Sequence, residues 1–355
     1  GYDNHATGTQ PDLSGTDPKG NAIYIVDAET GHLIWKAVDN GSAGADGGTG
    51  VVHDTNTGLD DSIAAEIAVV DSNGDDIDDR AYVGDMGGNI WRIDLPRNLD
   101  PGDDADNREN WKMTKLAALG DLGNDGGSDD RRFMKRIDVV FARDPDTSPG
   151  SFDALLIGSG DREHPKQAAR DDYLFVIKDP HGSTIPTSGA RAAIEIGELA
   201  DADCFLVTGA PDTGCDDAAD LLDNGYKLAL TEPGEKILAP TLTIGGQVYF
   251  SSYLPEGGPT EAAECNAMKL GIGRGYAVNL FNGRPVINRN LLDDNGLVRP
   301  STAVDRYEDS AWGAGLPTEY QSLGGNFIMG RPGDFQNASV SSHYRTYWFE
   351  KDVDH

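Results

Sequence analysis

The chain has 355 residues, with 60 Asp and Glu against 29 Lys and Arg and a formal net charge of −31. That balance excludes non-specific nucleic-acid binding and attachment to anionic membranes, both of which need a basic face. It does not signal disorder, because hydrophobic residues at 38%, with 5 Trp, 12 Tyr and 10 Phe, suffice for a sizeable core. In chain order, short runs with period two predict strands at AIYIV (22–26), IAVV (67–70), AYV (81–83) and NIWRI (89–93). Further strands are expected at 137–141, 154–157, 173–177, 241–244, 247–251 and 276–279, each bracketed by Gly, Asp, Asn or Pro. Single turns of helix are expected at 61–66 and 217–224, and long amphipathic helices are scarce. The 45 glycines fit a fold with frequent tight turns, and the class read from this pattern is all-β.

A unit recurs within the pattern: strand, Gly-rich turn, strand carrying an aromatic, Asp or Asn, turn, strand. It is visible in GNAIYIVDAETGHLIW (20–35), DRAYVGDMGGNIWRID (79–94), DDYLFVIK (171–178) and the pair GGQVYFSSYLP and GRGYAVNLFNGRPVI within 245–287. Such a unit cannot bury both faces alone, so radial stacking of four-stranded antiparallel blades, a β-propeller, is the expected architecture. Trp35, in the D-A-E-T-G-x-x-x-W stretch (27–35), is expected to pack between blades. Four or five blade units are legible. Residues 1–355 are therefore expected to form a single propeller domain or its C-terminal portion, with no second domain. The acidic stretches 98–110, 120–130 and 200–224 are expected as long loops between strands and blades.

Cys204 and Cys215, eleven residues apart across a Gly/Pro/Asp-rich stretch, have a spacing that suits a disulfide-closed loop, with two reduced thiols as the alternative. Cys265 is left over, and no C-x-x-C supports a zinc site. No apolar run approaches the roughly 18–20 residues that span a bilayer, so membrane insertion is not expected. Residues 1–20 lack a basic-then-apolar leader, which places any export signal outside this sequence. Hydrolase chemistry finds no support: there is no H-E-x-x-H, and GSGD (158–161) reads as a turn after a strand. GIGRG (271–275) is not followed by a helix pattern, so a phosphate cradle is not expected there.

The strongest motif is DSNGDDIDD (71–79). Asp71, Asn73, Asp75 and Asp79 fall at positions 1, 3, 5 and 9, and Ile77 at position 7, where calcium loops use a backbone carbonyl. Three carboxylates and an amide oxygen wrapped around one point form a hard-oxygen set that suits Ca²⁺ over Mg²⁺. The ordered spacing between two strands distinguishes this loop from acidic surface turns such as 103–106, 121–130 and 216–220. Position 12 is Tyr82, so the bidentate Glu of an EF-hand is missing, and affinity is expected on the order of micromolar or weaker.

The run AVVDSNGDDIDDRAYVGDMGGNIWRIDL (68–95) is very similar to the calcium-loop blade of the PilY1/PilC family of type IV pilus proteins. AIYIVDAETGHLIWK (22–36), GEKILAPTLTIGGQVYFSSYLP (234–255), GRGYAVNLFNG (273–283) and RTYWFEK (345–351) agree in order. The resemblance implies the C-terminal part of a modified seven-bladed propeller, with calcium held by Asp71, Asn73, Asp75, the Ile77 carbonyl and Asp79. It also implies a non-enzymatic factor at the pilus tip or cell surface. Such a factor works with minor pilins in pilus assembly and retraction, surface adhesion and twitching, its adhesive specificity residing in an N-terminal region outside this chain. Position 6 is Asp76 where such loops often have Gly, and Arg331-Pro-Gly-Asp334 is not an Arg-Gly-Asp tripeptide, so integrin binding is not implied. Two alternatives come from other classes. A quinoprotein-like dehydrogenase with pyrroloquinoline quinone shares the D-A-E-T-G-x-x-x-W stretch but would need a bed of stacked aromatics. An integrin-like propeller would bind a ligand without a pilus role.

Overall fold

The computed structural model describes residues 20–38, 52–55, 59–96, 110–120, 131–144, 150–168, 171–180, 192–207, 210–255, 271–286, 300–314, 316–323, 326–328 and 335–337. Cys265, Trp348, residues 98–109, 121–130, 331–334 and 345–351 lie outside them. The described residues form five sheets and almost no helix. The first joins β1 (Ala22–Val26), β2 (Leu33–Val38) and β3 (Val52–Thr55). The second runs β4 (Ala68–Val70), β5 (Arg80–Gly84), β6 (Asn89–Asp94) and β7 (Lys112–Ala118), all antiparallel. The third runs β8 (Asp138–Arg143), β9 (Ser151–Gly158), β10 (Tyr173–Pro180) and, after the short β11 (Ile194–Glu195) and β12 (Ala200–Asp201), β13 (Gly225–Ala229). In the fourth, β14 (Lys236–Ile237) and β15 (Leu242–Ile244) pair with opposite ends of β16 (Gln247–Leu254), which continues to β17 (Ile272–Asn279) and β18 (Tyr307–Ala314). A fifth sheet holds β19 (Gln321–Leu323), β20 (Asn326–Ile328) and β21 (Phe335–Asn337).

The first four sheets stack face to face in succession, as propeller blades do. Ile23, Trp35 and Ala37 meet Ala81, Val83, Trp91 and Ile93 between the first and second. Tyr82, Ile90 and Leu116 meet Leu155, Ile157, Phe175 and Ile177 between the second and third. Phe152, Leu156, Leu174 and Val176 meet Val248, Phe250, Tyr276 and Val278 between the third and fourth. Alternate residues of β9 and β10 thus enter different cores, which is why these strands are apolar on both faces. Trp35 packs as expected, fully buried and edge-on to Trp111 at 6.4 Å.

Two details depart from the sequence expectation and one agrees with it. Residues 61–66 form no helix: Ser62 is buried in an extended connection, and its carbonyl accepts from Met86 N at 2.9 Å. The 217–224 turn does form, as α1 (Ala218–Leu221). Blades are not uniformly four-stranded antiparallel either, because β3, β11 and β12 add short parallel strands beside β2, β7 and β13. One segment carries both β11 and β12, so residues 194–201 stitch the second blade to the third. The stitch continues through the disulfide Cys204–Cys215, with Cα atoms 5.7 Å apart, and through Arg306, which donates to the carbonyls of Gly283 and Ala202 and pairs with Asp203. Gly225 starts β13 at φ 120°, where an added Cβ would meet the Val176 carbonyl, so this close approach demands glycine.

Candidate metal centre

Residues 71–79 connect β4 to β5, as the flanking apolar runs predicted. The Asp71 carboxylate sits at the centre of the loop. Its Oδ1 accepts from the backbone N–H of Asn73 (3.2 Å), Gly74 (2.7 Å) and Asp75 (3.3 Å), and its Oδ2 from that of Asp76 (2.8 Å). Slight burial pushes this carboxyl up, but the amides of Gly74, Asp76, Asp75 and Asn73 outweigh it and hold the group below the usual carboxylate range. Asp75 N donates to Asn73 Oδ1 at 2.9 Å, and Ile77 N to Asp75 Oδ1 at 3.0 Å. Asp79 closes the loop on its opening, its Oδ1 accepting from Ser72 N at 2.8 Å.

This winding needs two left-handed residues. Gly74 has φ 79°, and Asp76 at φ 65° is the one non-glycine residue with positive φ among the described residues. Position 6 is where a calcium loop makes its sharp turn, and Asp tolerates that region better than most side chains. The structure therefore brings Asp71, Asn73, Asp75 and Ile77 into one exposed knot and turns Asp79 onto its rim. Every side-chain donor in it is an oxygen, the chemistry a hard cation takes. The carboxylates engage amides instead of converging, and among the described residues no three His, Cys, Asp or Glu side chains stand together as a ready cage. Tyr82, at position 12, is no loop ligand: it is fully buried and donates to Asp179 of β10 at 2.8 Å. Burial, with Asp179 and Asp153 beside it, raises its ionisation far above the usual range, so the phenol stays a donor.

The other singled-out stretches have structural roles. Residues 271–275 lie largely within β17, where Arg274 is buried against Glu235 at 2.8 Å, so they cradle no phosphate. In 158–161, Ser159 Oγ donates to Asp172 at 2.6 Å after β9, and buried Asp161 accepts from the backbone N–H groups of Glu163 and His164. The acids of 216–220 are exposed. Sequence reasoning missed a buried cluster of Arg80, Arg92, Asp94, Asp153 and Asp179 beside the loop. Its one sequence signal is charge inside apolar strands, as in NIWRID (89–94).

No protein-family model and no curated protein sequence matches the chain. Its structure is similar to the crystal structure of the Pseudomonas aeruginosa PilY1 C-terminal domain, with a TM-score of 0.56 over 90% of this chain and 67% of that one. The chain has that domain's propeller-like fold. Sequence identity between the two is 16%, so what they share is architecture; this chain spans about two thirds of that domain's length.

Proposed function

We propose that this chain is a calcium-binding, non-enzymatic domain of a type IV pilus-associated protein. It acts outside the cell, at the pilus tip, with minor pilins as partners. The observation that carries this reading is the nine-residue oxygen-donor loop between the first two strands of a blade in a PilY1-like fold. Asp71, Asn73, Asp75, the Ile77 carbonyl and Asp79 would hold the ion. Because the backbone already winds around Asp71, binding requires turning the side chains of Asp75 and Asp79 more than rebuilding the loop. The bound ion would supply charge neutralisation and a fixed loop shape rather than catalysis. Calcium-dependent loop shape would in turn set how minor pilins are engaged during assembly, retraction, adhesion and twitching. Extracellular placement is supported by the Cys204–Cys215 disulfide, a bond that persists mainly in oxidising compartments.

Isothermal titration with calcium chloride tests the loop. Wild type is expected to bind one ion, and Asp71→Ala and Asp79→Ala to lose binding while keeping the far-ultraviolet dichroism of the folded blades. Wild-type-like uptake by both variants would sink the assignment. Pull-down of minor pilins with and without calcium tests the pilus role, and calcium uptake with no pilin capture would leave an integrin-like ligand-binding propeller as the better reading.

A further inference from the structure

The cation loop ends on Asp79, and the next residue enters an ionic cluster shared by two blades. Arg80 Nε lies 3.3 Å from Asp94, and its Nη1 reaches across the blade interface to Asp153 of β9 at 3.1 Å. Arg92 Nη1 contacts both oxygens of Asp179 of β10, at 3.1 and 2.9 Å, while its Nε and Nη2 hold Asp94 at 3.0 and 2.7 Å. Arg80, Arg92, Asp153 and Asp179 are each 5% exposed or less. Asp79 is clamped between these parts by its own backbone. Its N–H donates to Val70 O at 3.2 Å, and its carbonyl accepts from Leu95 N, the residue after Asp94, at 2.8 Å.

We propose that this inter-blade cluster is the positioning shell of the loop, fixing the path of Asp79 so that cation occupancy and the order of the β5–β9–β10 junction are coupled. The inference rests on the calcium reading of residues 71–79. Its physical basis is the cost of separating buried ion pairs: Arg80 cannot leave Asp153 without giving up a charge-assisted contact buried between two blades. The main chain at 79–80 therefore has little freedom, and a ligand on it is held where it stands. Groups hydrogen-bonded to a metal's ligands change its affinity by about 10- to 100-fold, and this cluster, one link further out, is expected at the low end. Coupling is reciprocal, so a cation that favours the ordered loop also resists opening of the cluster.

The test compares calcium titrations of wild type, Asp153→Asn and Glu235→Gln. Glu235 occupies a similar buried cluster, accepting from Arg274 and Tyr276 at 2.8 Å each, but in the fourth blade. Asp153→Asn is expected to bind calcium about tenfold more weakly, Glu235→Gln with wild-type affinity. In wild type, calcium is expected to slow amide exchange at the start of β9 and the end of β10. Wild-type affinity in Asp153→Asn overturns the coupling but leaves the loop assignment standing. Equal weakening in both variants also overturns it, since that marks general destabilisation. If Asp153→Asn does not fold, the exchange experiment decides, and unchanged exchange in β9 and β10 overturns the proposal. A wild type that takes up no calcium removes both the loop assignment and the coupling.

Discussion

Residues 71–79 and 200–224 are both acid-rich connections, with five Asp in nine residues and seven in twenty-five, yet they are held by different forces. In the first, the carboxylates themselves organise the chain. Asp71 gathers amides from residues two to five positions ahead, apolar side chains contribute little, and most of the loop is exposed. In the second, the carboxylates act singly: Asp201 accepts from Asp203 N, Asp212 from Leu206 N, and Asp203 pairs with Arg306. Phe205, Ala202 and Ala218 are buried in the core between the third and fourth blades, the disulfide closes the loop, and Arg306 ties it to a residue about a hundred positions away. Acid content alone therefore says nothing about use. What matters is whether the oxygens gather the amides of one short wrap or act one at a time around an apolar anchor.

The largest expected break in this contrast is Phe205→Ala. Truncating a buried aromatic leaves a cavity costing about 3–5 kcal/mol, read by chemical denaturation. Calcium affinity should not change, and a change would mean that the two regions are less separate than their contacts indicate. Next is replacement of Cys204 and Cys215 together by Ser, expected to cost about 3 kcal/mol through the freed eleven-residue span, again without effect on the loop. Asp71→Ala should cost only about 1 kcal/mol in stability, the worth of a capping carboxylate, even as it removes calcium binding.

A further prediction concerns an acid in neither region. Asp138 of β8 accepts from Thr243 Oγ1 at 2.9 Å and Thr241 Oγ1 at 3.5 Å, facing β15, with Arg136 near in sequence. Burial pushes its carboxyl up to about 6 against the opposing pull of Thr243, Arg136 and Thr241. A raised carboxyl favours the folded state while protonated. Its contribution is thus full below about pH 4 and lost as pH rises through about 6. Melting temperatures across that window should fall in wild type and flatten in Asp138→Asn.

Much of the fold was legible because blade strands announce themselves locally. LLIG in β9 and YLFVI in β10 are apolar on both faces, and the turns beside them are rich in Gly and Asp. β7, with the sequence KMTKLAA, escaped notice, since Lys and Ala carry little strand preference and its place is set by pairing with β6. β11 and β12 escaped for a stronger reason: two-residue strands have no period, and they exist only because their segment lies along the edges of two blades. At the candidate site, the strand–loop–strand setting of residues 71–79 was readable from the flanking apolar runs. The turning of Tyr82 towards Asp179 was not.

By itself the sequence determined the all-β class, the blade repeat and the winding of residues 71–77 around Asp71, because each depends on interactions among residues within a few positions of one another. Asp71 finds its amides two to five residues ahead. Only the tertiary structure decided that Arg80 meets Asp153, 73 residues on, that Tyr82 meets Asp179, and that residues 194–201 stitch two blades. Those contacts form between strands brought alongside by the burial of Tyr82, Leu155, Phe175 and their neighbours. The choice of partners is a property of the shared core, and no local pattern of residues carries it.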